Sequence, residues 1–361
     1  MIELSPFLKQ LISLPGLSAY EDPVRQVIAE AWLPLVDELS ISKLGSLHGL
    51  RKNRRNKKIE GEKKETSPRI LLSAHMDAIG MMVTAVENGF IRVTSIGGLD
   101  PRVLAFQPVT VHGRRDLPGI LAMPPDRLLP PEQGGKPVKK EHWLVDVGLP
   151  PSEVQELVRP GDLVSMATQP IDLSGETLAG HSLDNRASVA ALTLALQELQ
   201  YVSQAWDVWA VASSQEETCL GGAYTSPFDI RPDIAVAIDV TFAKGPGVND
   251  YRGYGLGKGC ALGWGPNIHP AIYKTLKETA VDLDMPYQIE IMPRHSGTDA
   301  YAMQVVAEGI PTAVVSIPLR YMHTPVEVVS LKDIARTGRL LAEFIARLEP
   351  DYVQKIVWED K

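Results

Sequence analysis

Four short apolar runs, each followed within a few residues by a side chain able to bind a metal ion, constrain the fold of this chain most strongly. The runs span 70–74, 208–212, 234–238 and 312–317, and they are rich in Val, Ile, Leu and Ala rather than alternating with polar residues. Such runs are typical of parallel strands that helices cover on both faces. The sequence therefore predicts an α/β fold with a buried parallel sheet.

Five residues are candidate metal ligands, and four of them follow these runs. They are His75, Asp184, Glu217, Asp239 and His323. In open α/β sheets, ligands bind outside the carboxyl ends of the strands. Each residue alone also has a plainer interpretation, such as a helix cap for Asp184 or an ordinary loop histidine for His323. Their joint occurrence at predicted strand ends favours a metal site.

The chemistry of the neighbouring residues suggests distinct roles at such a site. Asp77 can accept the second ring N–H of His75 and so orient the imidazole. Asp184 can offer one oxygen to each of two ions about 3.5 to 4 Å apart. Glu216 can accept a proton from a bridging water while Glu217 binds metal. Two imidazoles and three carboxylates suit Zn²⁺, with Co²⁺ or Mn²⁺ as substitutes.

The sequence pattern changes between residues 78 and 175, where short segments typical of β-strands alternate with residues typical of turns. We interpret 78–175 as an inserted small β domain, and 1–77 together with 176–361 as a discontinuous main domain.

Helices are predicted in the main domain on both sides of the insertion. Ser18 and Glu21 are spaced as a capping box ahead of the second helix. The predicted helices span 6–14, 22–33, 186–200, 270–283 and 331–348.

Composition excludes several classes of protein. The formal net charge of −8 argues against a nucleic-acid or anionic-membrane partner for the whole molecule.

Residues 51–69 carry nine Lys and Arg against three Glu, a run most simply interpreted as a solvated loop. No apolar run reaches about 18 residues, so we expect no membrane span. A start without a secretory signal and only Cys219 and Cys260 favour the reducing cytoplasm.

Two further histidines lie near candidate ligands. His181 precedes Asp184, and His295 precedes the segment 296–299. Either could be an oxyanion donor or a substrate contact, and the sequence leaves both roles open.

Six motifs in order give the chain a resemblance to a known family. They are His75-Met76-Asp77, Leu183-Asp184-Asn185-Arg186, Gln215-Glu216-Glu217, Ala237-Ile238-Asp239-Val240, Gly297-Thr298-Asp299-Ala300 and Arg320-Tyr321-Met322-His323-Thr324-Pro325-Val326-Glu327. With these motifs the chain resembles, nearly end to end, the tetrahedral aminopeptidases. These are cytosolic glutamyl, leucyl and lysyl aminopeptidases with two co-catalytic metals, some of which were labelled cellulases.

The resemblance implies a role for each site residue. His75 and Asp239 would hold one metal ion, Glu217 and His323 the other, Asp184 would bridge them, Glu216 would be the general base, and Asp77 would orient His75. It also implies a three-layer α/β/α domain of the zinc-peptidase type, an inserted β-barrel-like dimerisation domain, and dimers that assemble into a dodecamer. Asn185 departs from the family pattern, where Asp is common.

The expected activity is release of N-terminal amino acids from peptides by a metal-bridged hydroxide that Glu216 activates. A metal-dependent deacylase acting on N-acylated substrates, or a non-catalytic relative that retains the fold, are the alternatives. A glycosidase is disfavoured, because the adjacent Glu216 and Glu217 are poorly placed to flank a glycosidic bond at the roughly 5 Å or more that is required.

Overall fold

A computed structural model of the chain describes residues 2–55, 67–123, 126–128, 142–248 and 251–358. Most of the basic segment predicted at 51–69, namely residues 56–66, lies outside the described residues.

Seventeen strands and ten helices are defined in these ranges. The strands are β1 (Glu38–Ile41), β2 (Leu47–Arg51), β3 (Arg69–His75), β4 (Gly80–Glu87), β5 (Phe90–Ile96), β6 (Pro108–His112), β7 (Asp116–Ala122), β8 (Leu144–Asp146), β9 (Leu163–Met166), β10 (Ile171–Leu173), β11 (Thr177–Gly180), β12 (Asp207–Ser213), β13 (Ile234–Phe242), β14 (Ala261–Trp264), β15 (Gln288–Ile291), β16 (Thr312–Arg320) and β17 (Glu327–Ser330). The helices are α1 (Leu4–Ile12), α2 (Asp22–Trp32), α3 (Pro151–Leu157), α4 (Leu183–Glu198), α5 (Glu216–Cys219), α6 (Gly221–Ile230), α7 (Pro270–Asp282), α8 (Asp299–Gln304), α9 (Leu331–Arg347) and α10 (Tyr352–Lys355).

Eleven strands form one mixed sheet whose centre is parallel. Its main path is β1-β2-β12-β3-β13-β16-β17-β11-β10, and β14 and β15 extend from β16. The neighbours β12, β3, β13 and β16 are parallel to one another. These are the four apolar runs of the sequence, so the prediction of a buried parallel sheet is confirmed.

Helices cover both faces of this sheet, which explains the continuous apolar character of the central strands. α4 and α9 pack on each other and on the strands from one side, and α6 and α8 pack from the other. α4 has almost no exposed residue because it lies between the sheet and other helices. Its apolar residues therefore occur all round the helix rather than on one stripe.

A second, smaller sheet closes into a barrel of six strands in the order β4-β5-β8-β7-β6-β9. It has its own core, in which Trp143 is fully buried. The predicted class, α/β with an additional small β-barrel-like unit, is confirmed. The barrel strands lie between residues 80 and 166, and β10 pairs with β11 in the large sheet. The division of the chain at 78 and 175 stays a prediction.

Two local predictions were wrong. Ser18 and Glu21 do not form a capping box: α2 begins at Asp22, no side chain caps it, and the Ser18 hydroxyl donates to Asp77 instead. The strand predicted from the apolar run at 234–238 does not end before Asp239 either. β13 continues to Phe242, because its backbone stays paired with β16 along this length.

No helix in the described ranges is long and apolar enough to cross a membrane. Cys219 is exposed, Cys260 is buried, and both are free thiols.

Arg186, in α4, is a fully buried guanidinium that ties the N-terminal segment to the sheet. It donates to the carbonyl oxygens of Leu11 at 2.6 Å, Leu14 at 2.7 Å and Met76 at 3.2 Å. Burial lowers the pKa of Arg186 to about 10, an effect that nearby carboxylates oppose. The guanidinium therefore fixes two distant segments next to each other.

We expect Arg186→Met to lower the free energy of unfolding by ~3 kcal/mol, because buried carbonyl groups lose their donors and buried carboxylates lose their cation. Denaturant unfolding monitored by circular dichroism measures the change. Arg347→Met, which removes a half-exposed pair with Asp282, is the matched control and should stay within ~1 kcal/mol of the unsubstituted protein. Equal effects of the two substitutions would contradict the anchoring role.

Candidate metal centre

The five candidate ligands lie together at the carboxyl edge of the parallel strands. His75 is the last residue of β3, and Asp239 is the sixth of the nine residues of β13. Glu217 lies in α5, just after β12. Asp184 lies at the start of α4, where its backbone is not yet helical, and its peptide bond to Asn185 is cis. His323 lies in the loop between β16 and β17.

Asp184 lies between the two histidines. Its Oδ1 is 3.2 Å from His75 Nε2, and its Oδ2 is 3.4 Å from His323 Nε2. Each oxygen of this one carboxylate thus faces a different imidazole, as a group shared between two ions would require.

The remaining acids divide between the two histidines. Glu216 Oε2 and Asp239 Oδ1 lie 3.7 and 3.8 Å from His75 Nε2, whereas Glu217 Oε2 lies 3.6 Å from His323 Nε2. Two sets of donor atoms each lie within 4.8 Å of one another: His75 with Glu216 and Asp239, and His75 with Asp184 and Glu217. His323 is the most open of these groups, at 36% exposed, so access to the centre is from its side.

Asp77 organises one half of the centre and is fully buried. Its Oδ1 is 3.3 Å from His75 Nδ1, so the second ring nitrogen of this imidazole faces a carboxylate. The same carboxylate accepts the backbone N–H of Glu216 and of Glu217, each at 3.1 Å. One side chain therefore fixes the orientation of an imidazole and the start of α5.

Glu327, to which sequence reasoning gave no role, organises the other half. It accepts the backbone N–H of Asp184 at 3.1 Å and that of His323 at 3.0 Å. The available signal was a carboxylate inside the fully buried strand β17.

Asp299 was also missed. It is buried at the start of α8, where its Oδ2 accepts the hydroxyls of Ser73 and Ser213 at 2.6 Å each, and its Oδ1 has no hydrogen-bond partner.

The electrostatics of the centre are dominated by buried negative charge. Burial, together with Asp239, Asp299 and Asp184, raises the pKa of Glu216 to about 9 although His75 opposes the shift. Burial and neighbouring acids likewise raise the pKa of Glu217 and of Asp239 well above the ordinary value.

The two imidazoles respond to this charge. The hydrogen bond to Asp184 and the charge of Glu217 raise the pKa of His323 to about 9, against the effect of burial. Burial alone would lower the pKa of His75, but Glu216, Asp184 and Asp77 raise it well above 6.5. Burial alone would raise the pKa of Asp184, but its hydrogen bonds to both histidines lower it.

This donor set fits divalent metal ions. Imidazole nitrogens and carboxylate oxygens are the usual ligands of Zn²⁺ and of similar first-row ions. A cation between the acids would also relieve the cost of burying like charges a few ångström apart.

A loop of the barrel touches the centre. A Cβ on Gly98 would lie 2.8 Å from His323 Nδ1, closer than side chains tolerate. The neighbouring Gly97 adopts a φ of 74° and lies near the Glu217 side chain. Only glycine at these positions lets the loop between β5 and β6 approach His323 so closely.

The two rival histidines are not brought into the ligand set. The ring nitrogens of His181 face the carbonyl oxygens of Ile79 at 3.2 Å and Thr324 at 3.4 Å, and burial lowers its pKa to about 4. His295 is exposed and packs its ring on Tyr301.

Comparison with known proteins agrees with the fold. A family model described as M42 glutamyl aminopeptidase matches residues 57–340. A lysyl aminopeptidase from Pyrococcus furiosus is 35% identical, over 95% of this chain and 97% of the relative.

Two solved structures are similar over nearly the whole chain. Aminopeptidase APDkam598 from the archaeon Desulfurococcus kamchatkensis is 33% identical with a TM-score of 0.88, covering 98% of this chain and 97% of that one. The TET1 peptidase of Pyrococcus horikoshii, described as able to assemble into a tetrahedron or a large octahedral shell, is 26% identical with a TM-score of 0.81. That match covers 96% of this chain and 100% of that one.

We expect the chelated, metal-free protein to lose stability as pH rises from about 5 to about 9. The pKa of Glu216 is about 9 in the folded state against an ordinary 4.5, so between these values the folded state holds a proton that the unfolded state has released. The pKa of His323 is about 9 against 6.5, so its stabilising charge is present below 6.5 and lost as pH rises through 9. Both contributions have the same sign.

Calorimetric Tm values in excess chelator at several pH values measure this loss. Glu216→Gln should flatten the dependence, because the amide does not titrate. A Tm that rises steadily between pH 6 and pH 9 would show that the buried acids do not carry raised pKa values.

Proposed function

The chain belongs to the M42 glutamyl aminopeptidase family and is therefore a peptide-bond hydrolase. We propose that it is a two-metal aminopeptidase that releases the N-terminal residue of peptides. The observation that carries the proposal is the position of Asp184. One oxygen of this carboxylate faces His75 and the other faces His323, within 3.4 Å in each case.

We propose that each ion has two ligands of its own and that the two ions share one further carboxylate. His75 and Asp239 would hold the first ion, Glu217 and His323 would hold the second, and Asp184 would contribute to both. Zn²⁺ is the proposed metal, and Co²⁺ or Mn²⁺ are its substitutes, because all three accept nitrogen and oxygen ligands. When bound, the ions supply Lewis acidity, which lowers the pKa of water and stabilises negative charge on the carbonyl oxygen.

Glu216 moves the proton. Its carboxylate takes a proton from the attacking water as the new C–O bond forms, and it delivers that proton to the amine nitrogen as the C–N bond breaks. Its backbone N–H is held by Asp77 and its carboxylate lies 3.7 Å from His75 Nε2, so the base stays at the edge of the ligand set. Asp77 acts here as a positioning residue, because it touches His75 and the start of α5 rather than the substrate.

A free α-amine on the substrate complements the surrounding acids. The centre buries more carboxylates than cationic side chains among the described residues, so a protonated amine is attracted to it. A substrate with an acylated N-terminus lacks this charge. We therefore propose exopeptidase rather than deacylase activity.

We also propose self-association, with the barrel at 78–175 as the dimerisation domain and a dodecamer as the assembled form. The TET1 peptidase of Pyrococcus horikoshii supports this proposal through its described assembly. The barrel unit also exposes large apolar side chains to solvent, among them Phe90, Phe106 and Ile120.

We expect the zinc-loaded protein to hydrolyse leucyl- or lysyl-p-nitroanilide and to leave the N-acetylated forms intact. Glu216→Gln should lower kcat by roughly 10²–10⁴-fold, because the amide cannot accept the proton. Chelation should abolish turnover, and added zinc should restore it in the unsubstituted protein alone. Turnover that survives complete metal removal, or a preference for the acetylated substrate, would overturn the proposal.

Metal content tests the ligand assignment independently of turnover. After dialysis against zinc, elemental analysis should find about two ions per chain in the unsubstituted protein, about one in Asp239→Ala, and fewer than one in Asp184→Ala. Asp233→Ala is the matched control, because Asp233 is an exposed carboxylate at the opposite end of β13 and binds the Arg69 backbone. This control should keep both ions; a loss equal to that in Asp239→Ala would refute the assignment.

A further inference from the structure

Two residues of the N-terminal segment, Ser18 and Glu21, bond across the fold to the segment that carries the proposed base. Both are buried, and neither caps a helix with its side chain. We propose that Ser18 and Glu21 are positioning residues that hold the turn bearing Glu216 and Glu217 in its catalytic geometry. The inference rests on the proposed function, since it assigns these residues a part in the same reaction.

Glu21 holds the turn directly. Its Oε1 accepts the Ser214 hydroxyl at 2.6 Å and the backbone N–H of Gln215 at 3.2 Å. The same oxygen accepts the backbone N–H of Ala19 at 2.7 Å, so it is fixed to its own segment as well. Ser214 and Gln215 immediately precede Glu216, and a shift of this carboxylate would therefore shift the base.

The turn needs an external restraint because its backbone conformation is unusual. Gln215 has a φ of 63° and Leu220 a φ of 56°, so residues on both sides of α5 adopt the left-handed region that non-glycine side chains disfavour. α5 itself has only four residues and supplies few hydrogen bonds of its own. The bonds from Glu21 help to offset this strain.

Ser18 acts on the same turn indirectly, through Asp77. Its hydroxyl donates to Asp77 Oδ2, the oxygen that also accepts the Glu217 N–H. The other oxygen, Oδ1, accepts the Glu216 N–H and faces His75 Nδ1. The Ser18 hydroxyl thus helps to fix the rotation of a carboxylate on which two backbone groups and one imidazole depend.

The N-terminal segment can serve as a restraint because it is itself anchored. Arg186 donates to the carbonyl oxygens of Leu11 and Leu14, and the Gly16 carbonyl accepts the Ala78 N–H at 2.9 Å. Residues 11–21 are therefore attached both to α4 and to the chain just beyond β3. This anchored segment can therefore restrain the turn that bears Glu216 and Glu217.

The substitution Glu21→Ala removes the three hydrogen bonds that Oε1 accepts. Glu21→Gln keeps them, because an amide oxygen can accept the same three bonds. We expect Glu21→Ala to lower kcat roughly 10²-fold, as for a misplacement of about 1 Å, with KM little changed. Glu21→Gln should recover most of kcat, and Ser18→Ala should show a smaller loss of the same kind.

Hydrogen–deuterium exchange on the metal-free protein gives a second readout that does not depend on turnover. Amides of residues 213–220 should exchange faster in Glu21→Ala than in the unsubstituted protein or in Glu21→Gln. Thr193→Ala is the matched control: it removes the buried hydrogen bond that the Trp32 indole donates, at the far end of α2, the helix that begins directly after Glu21. It should lower Tm without changing kcat or the exchange of the turn.

The outcomes separate this inference from the proposed function. An active unsubstituted protein with unchanged kcat and exchange in Glu21→Ala overturns the positioning role. A loss of kcat that Glu21→Gln does not recover, or that Thr193→Ala reproduces at equal Tm, also overturns it. An inactive unsubstituted protein overturns the proposed function instead, and the exchange of residues 213–220 then decides the positioning role by itself.

Discussion

An excess of buried negative charge at one edge of the large sheet is the constraint on which the rest of this structure depends. Among the residues that the structure describes, seven carboxyl groups are buried or nearly so around the centre, and the cationic groups beside them are two histidines and one arginine. The acids are Asp77, Asp184, Glu216, Glu217, Asp239, Asp299 and Glu327. Like charges this close oppose folding unless protons or cations relieve them. A pair of divalent ions satisfies this constraint and supplies the hydrolytic chemistry at the same time.

The parallel strands and two buried carboxylates hold these acids in place against their repulsion. The strand register aligns His75 with Ser213 and Asp239 with Ser316, so residues far apart in sequence reach the same edge. Asp77 then binds the backbone of Glu216 and Glu217, and Glu327 binds the backbone of Asp184 and His323. These bonds fix the backbone positions of Asp184, Glu216, Glu217 and His323 at the centre.

Much of this arrangement could be predicted from the sequence. Continuous apolar runs indicate buried parallel strands, and the polar residues that follow them indicate the carboxyl edge of the sheet. The rest depends on long-range contacts that local patterns do not contain. The spacing of Ser18 and Glu21 fits a capping box equally well, and only the packing of the N-terminal segment against Asp77 and Ser214 decides otherwise. For Glu327 the local signal, a carboxylate in a buried strand, does not reveal its role, since its two partners lie on different elements.

The approach of the Gly97–Gly98 loop to His323 means that the barrel unit and the centre are not independent modules. The backbone N–H of Asp100 also bonds to the His323 carbonyl at 3.4 Å, so the loop contacts this residue from two directions. Any tilt of the barrel would be transmitted to an imidazole that faces Asp184. A barrel exchanged between relatives by cutting at its linkers would therefore also require a matching residue at position 323, because the glycine loop and this histidine contact each other.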